Sequence, residues 1–153
     1  YQITETLEAI KELGHNTFVV YPNNDAGGRK IIEAIKKYEN LPFEKFIRLL
    51  SISSALVGNS STGIHETATL HIPTINIGTR QTGRLRPDNV IDVNHDKEEI
   101  VKAIKKALYD TKFKNIVKHC KNPYGDGNAS ERIINILKKI DIGSHMVQKK
   151  LTY

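Results

Sequence analysis

The feature that most constrains this chain is a strand–turn–helix–strand pattern over residues 56–86, LVGNSSTGIHETATLHIPTINIGTRQTGRLR. Ala55-Leu56-Val57 opens it as a short apolar run of the kind that forms a buried strand. Gly58-Asn59-Ser60-Ser61 breaks that run with residues that favour turns and helix N-caps. Thr62 to Leu70 is expected to continue as a helix, with Ile64 and Ala68 one turn apart. Pro73 closes the connection, and Thr74-Ile75-Asn76-Ile77 reads as the next strand before Gly78. The whole is one βαβ unit. Its first loop lies at the carboxyl end of a parallel strand, where open α/β sheets bind ligands.

The chemistry of that loop points to an anion. A helix N-terminus offers unpaired N–H groups and a partial positive charge, which together suit a phosphate. Ser60 and Ser61 add hydroxyls, and Gly63 would let a ligand approach the backbone closely. Glu66, within the first two turns of the expected helix, is placed to accept hydrogen bonds from the hydroxyls of a ribose. The competing reading makes Ser60 a helix cap and Glu66 a solvated acid, and these residues alone leave both open. Further on, Thr79 to Arg86 carries three arginines in a loop after a strand. Guanidinium groups bind phosphate oxygens bidentately, so the loop suits a diphosphate, although basic surface loops are common.

The rest of the chain alternates in the same way. Gln2 to Leu13 has Ile3, Leu7 and Ile10 at helical spacing, with Gly14 as a stop. Thr17 to Tyr21 reads as a buried strand, and Pro22 to Gly28 as a second strand-to-helix loop. Gly27-Gly28 lacks the spaced glycines of a dinucleotide fingerprint. Pro42 suits a helix start, and Phe43, Phe46, Leu49 and Leu50 give that helix an apolar face. Asn89 to Val93 is a last short strand. Asp96 with Glu99 resembles a capping box for a helix carrying Ile100, Ile104, Ala107 and Leu108. Phe113 to Cys120 reads as another helix, and Asn128 with Glu131 as the cap of one carrying Ile133, Ile134 and Leu137. Asp126, in a turn cluster, is read as a turn residue before a catalytic acid.

Composition narrows the classes. A chain of 153 residues supports one domain with a real core. The net charge of +6 would permit nucleic acid, yet the lysines are spread over several expected helix faces and no RNA-binding signature appears. The reading is therefore no nucleic-acid partner and no membrane, since no apolar run approaches spanning length. A single cysteine, Cys120, excludes an internal disulfide and suits a reducing cytoplasm. The histidines show no ligand spacing, so neither a metal nor another cofactor is assigned.

VGNSSTGIHE, followed by PTINIGTRQTGRLRPDNVIDV, resembles the C-terminal half of the hydrolysing UDP-N-acetylglucosamine 2-epimerases. VYPNNDAGGRKII upstream and NPYGDGNASERI downstream extend the resemblance through most of residues 1–140. NSS with the later GTRQTGR separates this branch from the non-hydrolysing epimerases. The resemblance implies a Rossmann-like parallel sheet with helices on both faces, one half of a GT-B architecture. It implies elimination of UDP from UDP-N-acetylglucosamine or a related UDP-sugar and hydration of the product, feeding sialic and related acid synthesis. It also implies UDP contacts from Asn23, Leu41 (through backbone), Ser60, Ser61, Glu66 and Arg80, with Arg29 near the interdomain cleft. The essential carboxylates are expected on an N-terminal half, and a homo-oligomer is expected.

The resemblance leaves gaps. The family's preceding strand, which ends in a His near the nucleotide, has no match here, and a further strand is expected between Asn40 and Leu41. Gly143-Ser144-His145-Met146 matches the scar of a cleaved histidine tag, and residues 147–153 read as a displaced first strand of the N-terminal half. Residues 1–142 are then the UDP-binding half. The rival readings are the donor-binding half of a GT-B glycosyltransferase and a non-catalytic nucleotide-binding module.

Overall fold

The computed structural model describes residues 2–20, 41–140 and 143. The expectations for Asn23, Arg29, Tyr21 and the Pro22–Gly28 loop lie outside the described residues, as do those for residues 144–153. Two compact units divide the chain after Pro123.

The first unit is built on three parallel strands in the order β1-β2-β3: β1 (Leu56–Gly58), β2 (Thr74–Ile77) and β3 (Val90–Val93). The register aligns Val57 with Ile75 and Ile91, and Gly58 with Asn76 and Asp92. Because side chains alternate along a strand, this register sorts them by face. Val57, Ile75, Ile77, Ile91 and Val93 share one apolar side. Helices α1 (Gln2–Leu13), α4 (Lys97–Tyr109) and α5 (Thr111–His119) build the core with that side, through Ala9, Ile100, Ile104, Ala107, Phe113 and Val117. Each fully buried isoleucine here contributes about 1.5–3 kcal/mol of transfer free energy.

The opposite face of β2 is polar, and the 62–72 connection covers it. Thr74 and Asn76 are fully buried there. Thr74 donates its hydroxyl to Thr67 Oγ1 (2.9 Å), and Asn89 donates Nδ2–H to the same oxygen (2.9 Å) and to Ile72 O (2.6 Å). Helices therefore lie on both faces of a parallel sheet, a Rossmann-like α/β fold.

Several element limits differ from the sequence-based expectation, each for a local reason. The helix expected over Thr62–Leu70 forms only as α3 (Thr62–His65). The Thr67 hydroxyl donates to Gly63 O (2.9 Å), the carbonyl that a regular helix would bond to the Thr67 amide. That amide reaches back to Thr62 O instead, and the chain continues as hydrogen-bonded turns to Ile72. Residues 15–20 form no strand: Phe18 is 56% exposed, so the apolar run is not covered as a buried strand requires. Pro42 is the N-cap of α2 (Phe43–Ser51) rather than its first residue. Helix α5 starts at Thr111 because Asp110 accepts the Phe113 amide (2.8 Å).

Asp96 caps α4 as expected, accepting the Glu99 amide (2.9 Å), but the reciprocal arm of the box shifts. The Glu99 carboxylate accepts the Asn94 amide (3.0 Å) instead of that of Asp96. In the second unit, α6 (Ala129–Leu137) carries no side-chain cap from Asn128. Asp126 orders the turn before it, accepting the Asn128 amide (3.1 Å) and two bonds from Arg132.

Candidate functional site

The site lies at the carboxyl ends of β1 and β2, where the chain leaves the sheet in two loops. The first, Asn59-Ser60-Ser61, follows β1; the second, Thr79 to Arg86, follows β2. Asn59 O joins them. It accepts Nη1–H from Arg80 (3.1 Å) and Nε2–H from Gln81 (2.7 Å), so both of its lone pairs are taken.

Leu41, Asn59, Ser60, Ser61, Arg80 and His95 line one common cavity of this unit. Of the residues expected to touch a nucleotide, Leu41, Ser60, Ser61 and Arg80 all lie on the wall of this wide cavity, and the Arg80 bond to Asn59 O holds Arg80 beside the Ser60–Ser61 loop. Glu66 is not among the residues that line that cavity. It is the C-cap of α3, half-buried, and its Oε2 is buried with no hydrogen-bond partner among the described residues. A buried carboxylate oxygen is costly without a donor.

Two parts of the anion argument change. Helix α3 is a single turn, so it supplies little of the dipole that a long helix would aim at a phosphate. Ser60 Oγ accepts the Thr62 amide (3.3 Å), and Ser61, the N-cap by position, makes no capping bond with its side chain. Gly63 does not open the backbone to a ligand. It is buried against β2, and a Cβ there would sit 2.5 Å from Thr74 Cγ2, so its glycine serves close helix–strand packing.

The three arginines separate by partner. Arg84 Nη1 lies 2.9 Å from His65 Nε2. Arg86 pairs with Asp92 (3.0 Å) and donates to Gln81 O (2.7 Å), which braces the loop against β3. Arg80 alone of the three lines the cavity. Of the three loop arginines, Arg80 is the one that brings its charge to the cavity wall, while Arg84 and Arg86 shape the loop that presents it.

Two residues at the site carried no sequence-based expectation. Gln81 is 1% exposed beneath the loops. His95 follows β3 and fills the space beside Gly78. The signal for Gln81 was its place next to Arg80, but the contact with Asn59, 22 positions away, has no spacing rule behind it.

Other reactive groups are held back by their surroundings. Asp126, in the second unit, is pushed well below the usual carboxylate range by Arg132 and the Asn128 amide, so it stays ionised and cannot act as a general acid near neutrality. Burial pushes the Cys120 thiol up, which disfavours the thiolate. Among the described residues no group of three or more His, Cys, Asp or Glu could hold a metal ion, and no helix is long and apolar enough to cross a membrane.

Comparison with known proteins meets this geometry. The family model for UDP-N-acetylglucosamine 2-epimerase matches residues 1–138. A UDP-N,N'-diacetylbacillosamine 2-epimerase (hydrolyzing) from Legionella pneumophila is 34% identical over 161 aligned positions, covering 99% of this chain and 41% of that protein. Among solved structures, S. aureus MnaA with UDP superposes with a TM-score of 0.67 at 21% identity, over 90% of this chain and 40% of that one. UDP-GlcNAc 2-epimerase from Neisseria meningitidis, bound to UDP-GlcNAc, gives 0.65 at 22% identity over the same shares. The chain thus spans about two-fifths of the length of these relatives. The structural likeness identifies the Rossmann-like sheet as one half of a GT-B architecture. By the extent of the family match and the identity to its relative, the chain belongs to the UDP-N-acetylglucosamine 2-epimerase family.

Proposed function

We propose that this chain is the UDP-binding half of a hydrolysing UDP-sugar 2-epimerase. The observation that carries the reading is the convergence of Arg80, Ser60 and Ser61 on one cavity at the carboxyl ends of β1 and β2. A guanidinium and two hydroxyls there match the oxygens of a diphosphate in charge and in hydrogen-bonding sense. Leu41 lines the same cavity, where its backbone would meet the uracil edge. Glu66 does not line this cavity, so its ribose role rests on the family resemblance; its Oε2, without a hydrogen-bond partner among the described residues, is the acceptor it would offer a ribose hydroxyl. Asn23 is assigned, by resemblance, to the sugar-diphosphate side.

In this reading the parent enzyme removes a proton from C2 of the sugar and UDP from C1, leaving a glycal. Water then adds, hydroxyl to C1 and hydrogen to C2 on the other face, which releases the 2-epimer as a free sugar. The groups that move those protons belong to the other half of the parent protein. This half holds the leaving group and balances the charge that develops on it. UDP-N-acetylglucosamine and a diacetylated relative are the substrates to test.

Calorimetric titration of the full chain with UDP, uridine, GDP and ADP tests the assignment. The expected result is a preference for UDP over each of the others. Equal affinities for all four would remove it.

A further inference from the structure

Arg80 has two demands on it. It bonds Asn59 O, and in the reading above it also pairs with a diphosphate. A guanidinium has five N–H donors and can bond phosphate while Nη1 stays on the carbonyl, but one drawn toward phosphate holds that carbonyl less firmly, and a carbonyl left without a donor costs free energy. Gln81 Nε2 is the second donor on the same oxygen, at 2.7 Å. Its own position is fixed from the sheet side. Arg86 Nη1 donates to Gln81 O (2.7 Å), Arg86 Nε to Asp92 Oδ2 (3.0 Å), and Asn76 Nδ2 to Asp92 Oδ1 (2.6 Å). A continuous line of hydrogen bonds thus runs from β2 and β3 through the arginine loop to the loop after β1.

We propose that Gln81 is a positioning residue of the nucleotide site. It holds Asn59 O, and with it the Ser60–Ser61 loop, while the Arg80 guanidinium is engaged by phosphate. The proposal rests on the reading that this cavity takes a nucleoside diphosphate. Gln81 needs no contact with the ligand, and its burial (1% exposed) suits a residue that acts through another.

The test is the variant Gln81→Met, which keeps length and volume and removes the donor without adding charge. Titrations of the full chain with UDP and with uridine are compared for wild type, Q81M, R80A and the double variant. The Kd for UDP is expected to rise about five- to tenfold in Q81M, with uridine within about twofold and the binding stoichiometry unchanged. In the R80A background Gln81 is the remaining donor of the pair on Asn59 O, so the added Q81M substitution should still weaken UDP more than uridine, by at least the factor seen when Arg80 is present. A purely structural role would lower stoichiometry or weaken both ligands alike, and that result overturns the proposal.

Should Q81M fail to fold, Asp92→Asn carries the test, since that half-exposed side chain lies outside the core. A selective loss of UDP supports the role, and an unchanged UDP-to-uridine ratio overturns it. Wild-type protein without preference for UDP over uridine removes the functional reading and this proposal together. Wild-type preference that Q81M retains in full removes only the role of Gln81.

Discussion

His95 occupies the space that a side chain on Gly78 would need: a Cβ built on Gly78 would sit 2.3 Å from His95 Nε2. Gly78 also has φ +77°, a conformation that costs other residues free energy. Gly78→Ala is therefore expected to destabilise the chain twice over, by backbone strain and by collision. The strain alone is about 1–3 kcal/mol. The double variant Gly78→Ala/His95→Ala should recover the collision part and keep the strain. Urea unfolding of the three proteins separates the two contributions, and a G78A variant as stable as wild type would contradict both.

Arg80→Ala should weaken UDP more than uridine, because guanidinium–phosphate pairing is available only to the diphosphate. A charge-assisted bond of roughly 1.5–3 kcal/mol corresponds to about a tenfold to hundredfold loss. Arg84→Ala, which removes a partner of His65 and not a cavity residue, should change UDP affinity far less. Comparable losses for both variants would show that the loop acts through its overall charge.

Glu66→Gln tests the ribose assignment. Replacing one acceptor oxygen by a donor is expected to cost UDP affinity about tenfold to hundredfold. The 2′-deoxy nucleotide should be penalised less, since one partner is already gone. Without ligand, stability should stay level or rise, because the wild-type residue buries a carboxylate oxygen with no partner among the described residues. Zero coupling between Glu66 and the 2′-hydroxyl in a double-mutant cycle, with UDP affinity intact, would sink the assignment.

Asp126 gives a pH prediction for the second unit. Its folded pKa is depressed by Arg132, so the pair's contribution is present above the unfolded aspartate value and is lost as pH falls through the folded one. In NMR titrations the Asp126 carboxyl should remain ionised at about pH 3, and in Arg132→Ala it should move back toward about 3.9. A wild-type midpoint near the ordinary value would mean that the pair does not persist in solution.

Much of the sheet was legible because its signals are local. Thr74-Ile75-Asn76-Ile77 forms β2 with the expected limits. Gln2–Leu13 forms α1, with Gly14 at φ +64° ending it. The misses arise where a distant partner decides. Thr62–Leu70 has helical spacing, yet the Thr67 hydroxyl satisfies Thr74, Asn89 and Gly63 and interrupts the ladder. Thr17 to Val20 has strand composition, which says nothing about whether a neighbouring edge and a covering layer exist. At the site, the motif marked Ser60, Ser61 and Arg80 as a group. It could not show that Arg84 and Arg86 are turned to the protein, nor that Gln81 shares the Asn59 carbonyl.

The saturation of Thr67 has a consequence for how this family can vary. Its one hydroxyl donates once and accepts twice, so Thr67, Thr74 and Asn89 behave as a single unit of three positions. An apolar residue at Thr67 strands the Thr74 hydroxyl and an Asn89 N–H, and one at Asn89 takes that donor from Ile72 O, a cost of about 1–3 kcal/mol for each buried group left unmatched. Exchanging all three for apolar residues of similar volume strands far fewer. In a library that randomises these sites one at a time, Thr67 and Asn89 should return their starting residues. One that randomises them jointly should yield a second, wholly apolar solution, separated from the first by variants that fold poorly.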